Sequence, residues 1–214
     1  MTSAARTSPT RRTTAPRKRG DETRAKIIDE TARCVVEEGF TAATAKHVAE
    51  RAGVTWGVIQ YHFGDRNGLL MAVVDDGVAK LIESLSTADV SGLPLAERIE
   101  TVVDIAWQCY RSPTSMAAFE ILQATRGRLG DSSRRHLLEM NDAISALGRL
   151  ISENPADHLV SEVIWSALRG MVLADMIVGR PVDWQRERAT LVDMVTQYLG
   201  QKHLGDDADS GHLD

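Results

Sequence analysis

The sequence predicts an all-α fold of about nine helices, with a short helical N-terminal unit ahead of a larger helical C-terminal domain. Three observations carry this. Apolar residues recur at helical spacing in one segment after another, and no segment alternates as a strand would. Six prolines occur in 214 residues, two of them within the first sixteen, so the remainder is free to run as long helices. The periodic segments are separated by short breaks built from Gly, Pro, Ser and Asn.

Residues 1–20 hold Arg6, Arg11, Arg12, Arg17, Lys18 and Arg19, no acid and no apolar periodicity. They are expected to be a disordered basic arm. With a whole-chain charge of −5, the remainder carries −11, so a basic arm precedes an acidic body. From Asp21, Ile27, Ile28, Thr31, Ala32, Val35 and Val36 fall on one helical face until Gly39 stops the helix. Thr44 can cap a short helix with Ala45, Val48, Ala49 and Ala52 inward. Gly53 ends it in a left-handed conformation, Val54 plugs the turn, and Thr55 can cap a second short helix reaching about His62. A helix, a tight Gly turn and a helix make a helix-turn-helix.

In such a unit the second helix needs short or polar side chains aimed at base edges, flanked by groups that grip phosphate. With Val58 and Ile59 facing the core, Thr55, Trp56, Gly57 and Gln60 face outward. Gln60 can pair with adenine through two hydrogen bonds, and Thr55 can meet a phosphate or a thymine methyl. Gly57 lets the backbone approach a groove wall, and Trp56 either stacks on sugar or methyl or simply packs. Tyr61 and His62 bring polar tips suited to phosphate oxygens. The stretch Thr44 to Leu70 resembles the DNA-binding domain of the TetR/AcrR family in its Ala-Gly-Val-Thr turn, its Tyr-His-Phe helix end and the Leu-Leu that opens the next helix. The resemblance runs from about Thr23 to Val74. It implies a ligand-responsive transcriptional regulator, usually a repressor released from a palindromic operator. It implies a phosphate contact for Thr44, a base-reading part at Thr55, Trp56, Gly57 and Gln60, and a phosphate-gripping pair in Tyr61 and His62. Arg66 stands where the family usually has Lys, so a phosphate contact is implied there too; Asn67 replaces a common Glu. Residues 21–66 hold six bases and eight acids. The DNA-directed field must therefore come from the placement of Lys46 and Arg66, from the arm, and from helix N-termini.

From Leu69 to Leu85 one amphipathic helix accounts for the apolar pattern, and Ser91, Gly92 and Pro94 break it. Further helices are expected at about 95–111, 114–127, 134–152, 159–179 and 184–200. The domain limits read as 1–20 for the arm, 21–67 for the helix-turn-helix domain, 68–204 for a ligand-binding and dimerisation domain, and 205–214 for a frayed tail. Trp107, Tyr110, Met116, Phe119, Met140 and Trp165 can line an apolar cavity between helices, for a small, largely apolar effector with a polar end. Each is also an ordinary core residue type. Gln108, Glu120, Gln123, Arg169 and Asp175 are candidates for the polar contact, with Arg169 carried as the site residue. The helix at 159–179 is apolar over most of its circumference, and Ser166, Ala167 and Gly170 allow close helix approach. The resemblance implies that the last two long helices form a four-helix interface in a homodimer. That dimer would set two reading helices about 34–36 Å apart.

Other function classes find little support. No Gly-rich phosphate loop, nucleophile elbow or paired-carboxylate frame is present, so no catalytic residue is expected. An architectural DNA-binding protein would not need a long C-terminal domain rich in Trp and Met. Cys34 and Cys109 make neither a disulfide framework nor a zinc motif, and the six histidines show no metal-ligand spacing, so no metal and no cofactor is expected. No signal-peptide run or membrane-length apolar stretch appears, which leads us to expect a cytoplasmic protein without a membrane partner. Deleting residues 1–20 is expected to flatten the salt dependence of binding to double-stranded DNA by about 0.9 in slope for each phosphate that the arm neutralises. A salt titration that returns an unchanged slope would remove the arm from the interface.

Overall fold

The computed structural model describes residues 15–210 except 128, 129, 153, 155, 156 and 181. Among the described residues the chain is helical throughout, with no strand. The order is α1 (Ala15–Glu38), α2 (Ala45–Ala52), α3 (Trp56–Phe63), α4 (Arg66–Ser86), α5 (Leu95–Tyr110), α6 (Pro113–Thr125), α7 (Asp131–Ala146), a 3-10 turn (Leu147–Leu150), α8 (His158–Val178) and α9 (Gln185–Ser210). The helices and the breaks between them agree with the sequence reading to within a few residues.

Both ends differ from expectation. α1 begins at Ala15, inside the stretch read as a disordered arm, with Pro16 in its first turn, where a missing N–H costs nothing. Residues 1–14 of that arm lie outside the described residues. A cut before Ala15 therefore spares the helix, and a cut after Gly20 does not. α9 runs on to Ser210, through much of the segment read as frayed; residues 211–214 lie outside the described residues. In both places helix persists without apolar periodicity.

Local chemistry explains the boundaries. Thr44 is extended, and its Oγ1 accepts the His47 N–H at 3.2 Å, closing the first turn of α2. Gly53 ends α2 at φ 66°, ψ 35°, a left-handed conformation that glycine adopts without a Cβ penalty. Asp65 caps α4 by accepting from the Gly68 N–H at 2.8 Å. Ser112 accepts from the Ser115 N–H, with Pro113 opening α6.

Two apolar cores result. The first gathers Ile27, Ile28 and Val35 of α1, Val48 and Ala52 of α2, Ile59 of α3 and Leu69 to Val74 of α4. It is completed by Ala117, Ala118 and Ile121 of α6, which come from far along the chain. The second holds Leu81 and Leu85 of α4 with α5, α8 and α9, centred on Ile99, Val102, Trp165, Leu168 and Leu199. α4 thus belongs to both. α6 passes close to its Gly77: a Cβ there would stand 3.7 Å from Ala118 Cβ and from Ser115 Cα, in ordinary van der Waals contact.

Polar ties reinforce the seam. Glu120 of α6 accepts the Phe40 N–H at 2.6 Å. Lys80 of α4 pairs with Asp76 at 2.7 Å and Asp29 of α1 at 3.6 Å. His136 of α7 meets Asp75 of α4 at 2.7 Å. Buried Asp175 of α8 accepts from the Val182 N–H at 2.9 Å and Trp184 Nε1 at 2.8 Å, fixing the α8–α9 connection. Glu120 and Asp175, weighed in the sequence as effector contacts, are thus engaged in holding helices together.

The turn from α3 into α4 has no room for a side chain at Gly68, because a Cβ would lie 2.0 Å from the Phe63 carbonyl oxygen. Gly68→Ala is expected to lower stability by about 1–3 kcal/mol, the usual cost of overpacking. Chemical denaturation should show a reduced midpoint at unchanged slope.

Candidate nucleic-acid interface

α3 is amphipathic in the sense that a reading helix requires. Ile59 is fully buried against the head core and Val58 is half-buried. Thr55, Trp56, Gly57, Gln60 and Tyr61 are exposed. Tyr61 is 85% exposed and Trp56 46%, a large aromatic investment on an open surface. Thr55 stands at the N-cap with extended backbone, but its hydroxyl makes no capping bond, contrary to the expected cap. His62 is half-buried between the rings of Tyr61, at 5.0 Å edge-on, and Phe63, at 5.9 Å.

Around α3, Thr44 and Lys46 are exposed at the start of α2, and the Lys46 side chain is 89% exposed, 4.0 Å from Glu50. These two share an open surface at the first turn of α2. Arg66 is placed differently from the phosphate contact that was expected. Its Nε donates to the Ala43 carbonyl and its Nη2 to the Phe40 carbonyl, both at 2.8 Å, and its guanidinium lies 4.6 Å from the Phe40 ring centre. It braces the α1–α2 loop against α4, because that loop presents two carbonyls within reach of one planar fork. Arg51 does similar work: it binds Glu37 at 2.8 Å, Glu30 at 3.4 Å and Glu38, tying α2 to α1. Glu38, hydrogen-bonded by His47 and Arg51, is held below the usual carboxylate range.

The residues expected to line an effector cavity separate into three groups. Tyr110, Phe119, Met140 and Arg169 do share one cavity, of about 190 Å³, bounded by α4, α6 and α7 with the end of α5 and Arg169 of α8. Met116 lines a second, more polar cavity of about 490 Å³ with Arg111, Glu120 and Asp175, between α6, α8 and Val36 of α1. Trp107 and Trp165 line neither. Trp165 is completely buried in the second core, and Trp107 carries the guanidinium groups of Arg111 and Arg188 at 5.3 and 5.1 Å. Residue type identified these two as inward-facing; it could not say whether they face a void or a neighbour. The sequence reading missed Asn141 and the α4 wall formed by Val74, Gly77, Val78 and Leu81.

Within the first cavity Arg169 donates to the Trp165 carbonyl at 3.1 Å and approaches Asn141 Oδ1 at 3.5 Å. The Tyr110 hydroxyl is buried with no hydrogen-bond partner among the described residues. Burial pushes its pKa up to about 12, so it stays a neutral donor. In the head, Cys34 is buried beside Glu38 and His47, a grouping that the sequence reading did not anticipate. Burial raises its thiol pKa and keeps it protonated.

Among the described residues no helix is long and apolar enough to cross a membrane. Residues 27–73 match the family described as bacterial regulatory proteins, tetR family, covering α1 from Ile27 through the first third of α4. The HTH-type transcriptional regulator BetI of Escherichia coli strain K12 is 26% identical over 186 residues, spanning 82% of this chain and 93% of that protein. A putative TetR-family transcriptional regulator from Rhodococcus sp. superposes with a TM-score of 0.65 at 20% identity, over 82% of this chain and 99% of that one. The multidrug binding protein EbrR, solved with imidazole, gives 0.58 at 18% identity, over 88% of this chain and 96% of that one. The matched segment coincides with the helix pair that carries the exposed Gln60 and Tyr61: residues 27–73 carry the tetR-family helix-turn-helix, and along most of its length the chain is similar in sequence and fold to TetR-family transcriptional regulators.

Proposed function

We propose that the protein is a homodimeric repressor that leaves a palindromic operator when a small, largely apolar molecule enters the cavity between α4, α6, α7 and α8. The observation that carries the DNA half of this reading is the outer face of α3, where Thr55, Trp56, Gly57, Gln60 and Tyr61 are all exposed while Ile59 anchors the helix. Gln60 reads a base edge, Thr55 and Trp56 contact backbone or methyl groups, and Tyr61, His62, Thr44 and Lys46 hold phosphates. Arg66 acts by shaping the α1–α2 loop beneath them.

Dimerisation is supported by an apolar face on α8 and α9. Leu159, Val163, Ile177, Met194 and Tyr198 are each more than half exposed. Ser166 and Gly170 are exposed along the same side of α8 as Val163, and nothing lies within 4 Å of where a Gly170 Cβ would be. A partner helix can approach closely there.

The response to ligand follows from size. The cavity, at about 190 Å³, falls below the roughly 300–1,000 Å³ of ordinary ligand pockets. A drug-sized molecule enters only by moving walls, and two of those walls, α4 and α6, carry side chains of the head core. Displacement of α4 therefore moves α3 and its partner on the other protomer out of register with the operator. The neutral Tyr110 hydroxyl favours a ligand with a hydrogen-bond acceptor at one end of an apolar body.

Selection of bound duplexes from random DNA is expected to return a near-palindrome. Gln60→Ala should cost about 1–3 kcal/mol and relax preference at one base pair in each half-site. Tyr61→Phe should weaken binding about equally on all sequences. A dimer without sequence preference, insensitive to both changes, would overturn the reading.

Tyr110→Phe tests the ligand half. Removing a buried hydroxyl that lacks a partner should leave the free protein as stable or up to about 1–3 kcal/mol more stable. The same change should weaken the matching ligand about tenfold, the worth of one hydrogen bond. Thermal shift with and without ligand reads both; a destabilised free protein would show the hydroxyl to be satisfied.

A further inference from the structure

One cluster of metal-ligating side chains lies outside both the DNA-facing surface and the cavities. Cys34 and Glu38 are four residues apart on α1 and so share a face. His47, in the first turn of α2, reaches that face across the α1–α2 loop. The Cys34 sulfur, a Glu38 carboxylate oxygen and a His47 ring nitrogen all lie within 4.8 Å of one another. The two Glu38 oxygens are divided: Oε1 is bound by Arg51, and Oε2 meets His47 Nε2 at 2.8 Å.

We propose that Cys34, Glu38 and His47 form a binding site for a divalent transition metal of the zinc class, with Glu38 ligating through Oε2 and solvent completing the shell. The donor set of one thiolate, one imidazole and one carboxylate suits zinc and its neighbours, whereas magnesium and calcium take oxygen donors. Tetrahedral ligands about 2.0–2.3 Å from zinc stand roughly 3.4–3.7 Å apart. The cluster therefore needs a contraction of about 1 Å at its widest, within reach of small rotations of its two partly exposed members. The His47 and Glu38 side chains are 38% and 36% exposed, which gives the ion an entry path and room for water, while buried Cys34 forms the inner wall.

Charge favours a cation there. Glu30, Glu37 and Glu38 converge on the single Arg51, with Arg33 paired to Glu30 at 2.7 Å, so carboxylates outnumber cations around the site. Arg51 on Oε1 leaves Oε2 oriented toward His47 and Cys34, the part that an outer-shell group plays for a ligating carboxylate. On binding, the thiol proton of Cys34 passes to solvent, the proton that His47 Nε2 shares with Glu38 is given up so that the ring ligates as the neutral Nδ1–H tautomer, and the Glu38–His47 hydrogen bond is replaced by two bonds to the ion. The first turn of α2, with Thr44 and Lys46, becomes pinned to α1.

The test is a titration of the untagged, full-length protein with Co²⁺ and then Zn²⁺, following thiolate-to-cobalt charge-transfer absorption. One equivalent of Co²⁺ is expected to raise the band and Zn²⁺ to abolish it. His47→Gln, at a partly exposed position that should not disturb the fold, is expected to remove the band and weaken Zn²⁺ at least about 100-fold, more than the loss of an outer-shell partner costs. Cys34→Ala should do the same, and Cys109→Ala should keep the band. Absence of a band in the parent protein, survival of the band in His47→Gln, or its loss in Cys109→Ala would each overturn the site. The readout involves no DNA, so its failure leaves the regulator reading standing.

Discussion

The insertion of α6 into the head governs this molecule. Three small or branched apolar residues, Ala117, Ala118 and Ile121, close a core whose other fully buried members all lie before residue 75. Burying Ile121 alone is worth about 1.5–3 kcal/mol. The Glu120 carboxylate on the Phe40 N–H adds a directional bond at the same place, satisfying a backbone donor just past the end of α1. Without α6 the inner faces of α1 and α4 would lie open to water. The DNA-facing part is consequently not a bead on a string: it is completed by a helix that also walls the cavity beside Tyr110 and Met140, and Ala118 belongs both to the head core and to that wall.

That arrangement limits the side chain that the middle of α4 can carry. An alanine Cβ at position 77 would fit, in ordinary van der Waals contact with Ser115 and Ala118. Larger residues would push the two helices apart and open the seam on which both cores depend.

Much of the fold was legible in the chain. The apolar spacing located each of the helices α1 to α9, Gly53 and Val54 identified the turn between α2 and α3, and the Tyr-His-Phe run marked the end of α3. The missing parts share a cause: they depend on what approaches a side chain from elsewhere. Arg66 has the composition of a phosphate contact, and its use as a brace follows from two carbonyls more than twenty residues upstream. Trp165 and Phe119 have similar patterns in sequence, yet one fills a core and the other walls a cavity. Cys34 and Glu38 stand four residues apart on α1, but His47 joins them only after the chain reverses through the α1–α2 loop, so the grouping was not legible in the sequence. Thr55 had the right type for a cap, and its hydroxyl makes no such bond.

The length of α4 has a mechanical meaning. Its 21 residues make a rod of about 30 Å. One end meets α3 at Gly68, where no side chain fits to cushion the joint, and the other is set in the second core by Leu81 and Leu85. On such a rod each degree of tilt carries the far end about 0.5 Å. In the symmetric pair proposed above the two displacements add, so a tilt of a few degrees alters the gap between reading heads by several ångströms. Under that proposal the half-site spacing of an operator is a gauge with a narrow tolerance, and a DNA spacer lengthened or shortened by one base pair disturbs the fit as a tilt of α4 does.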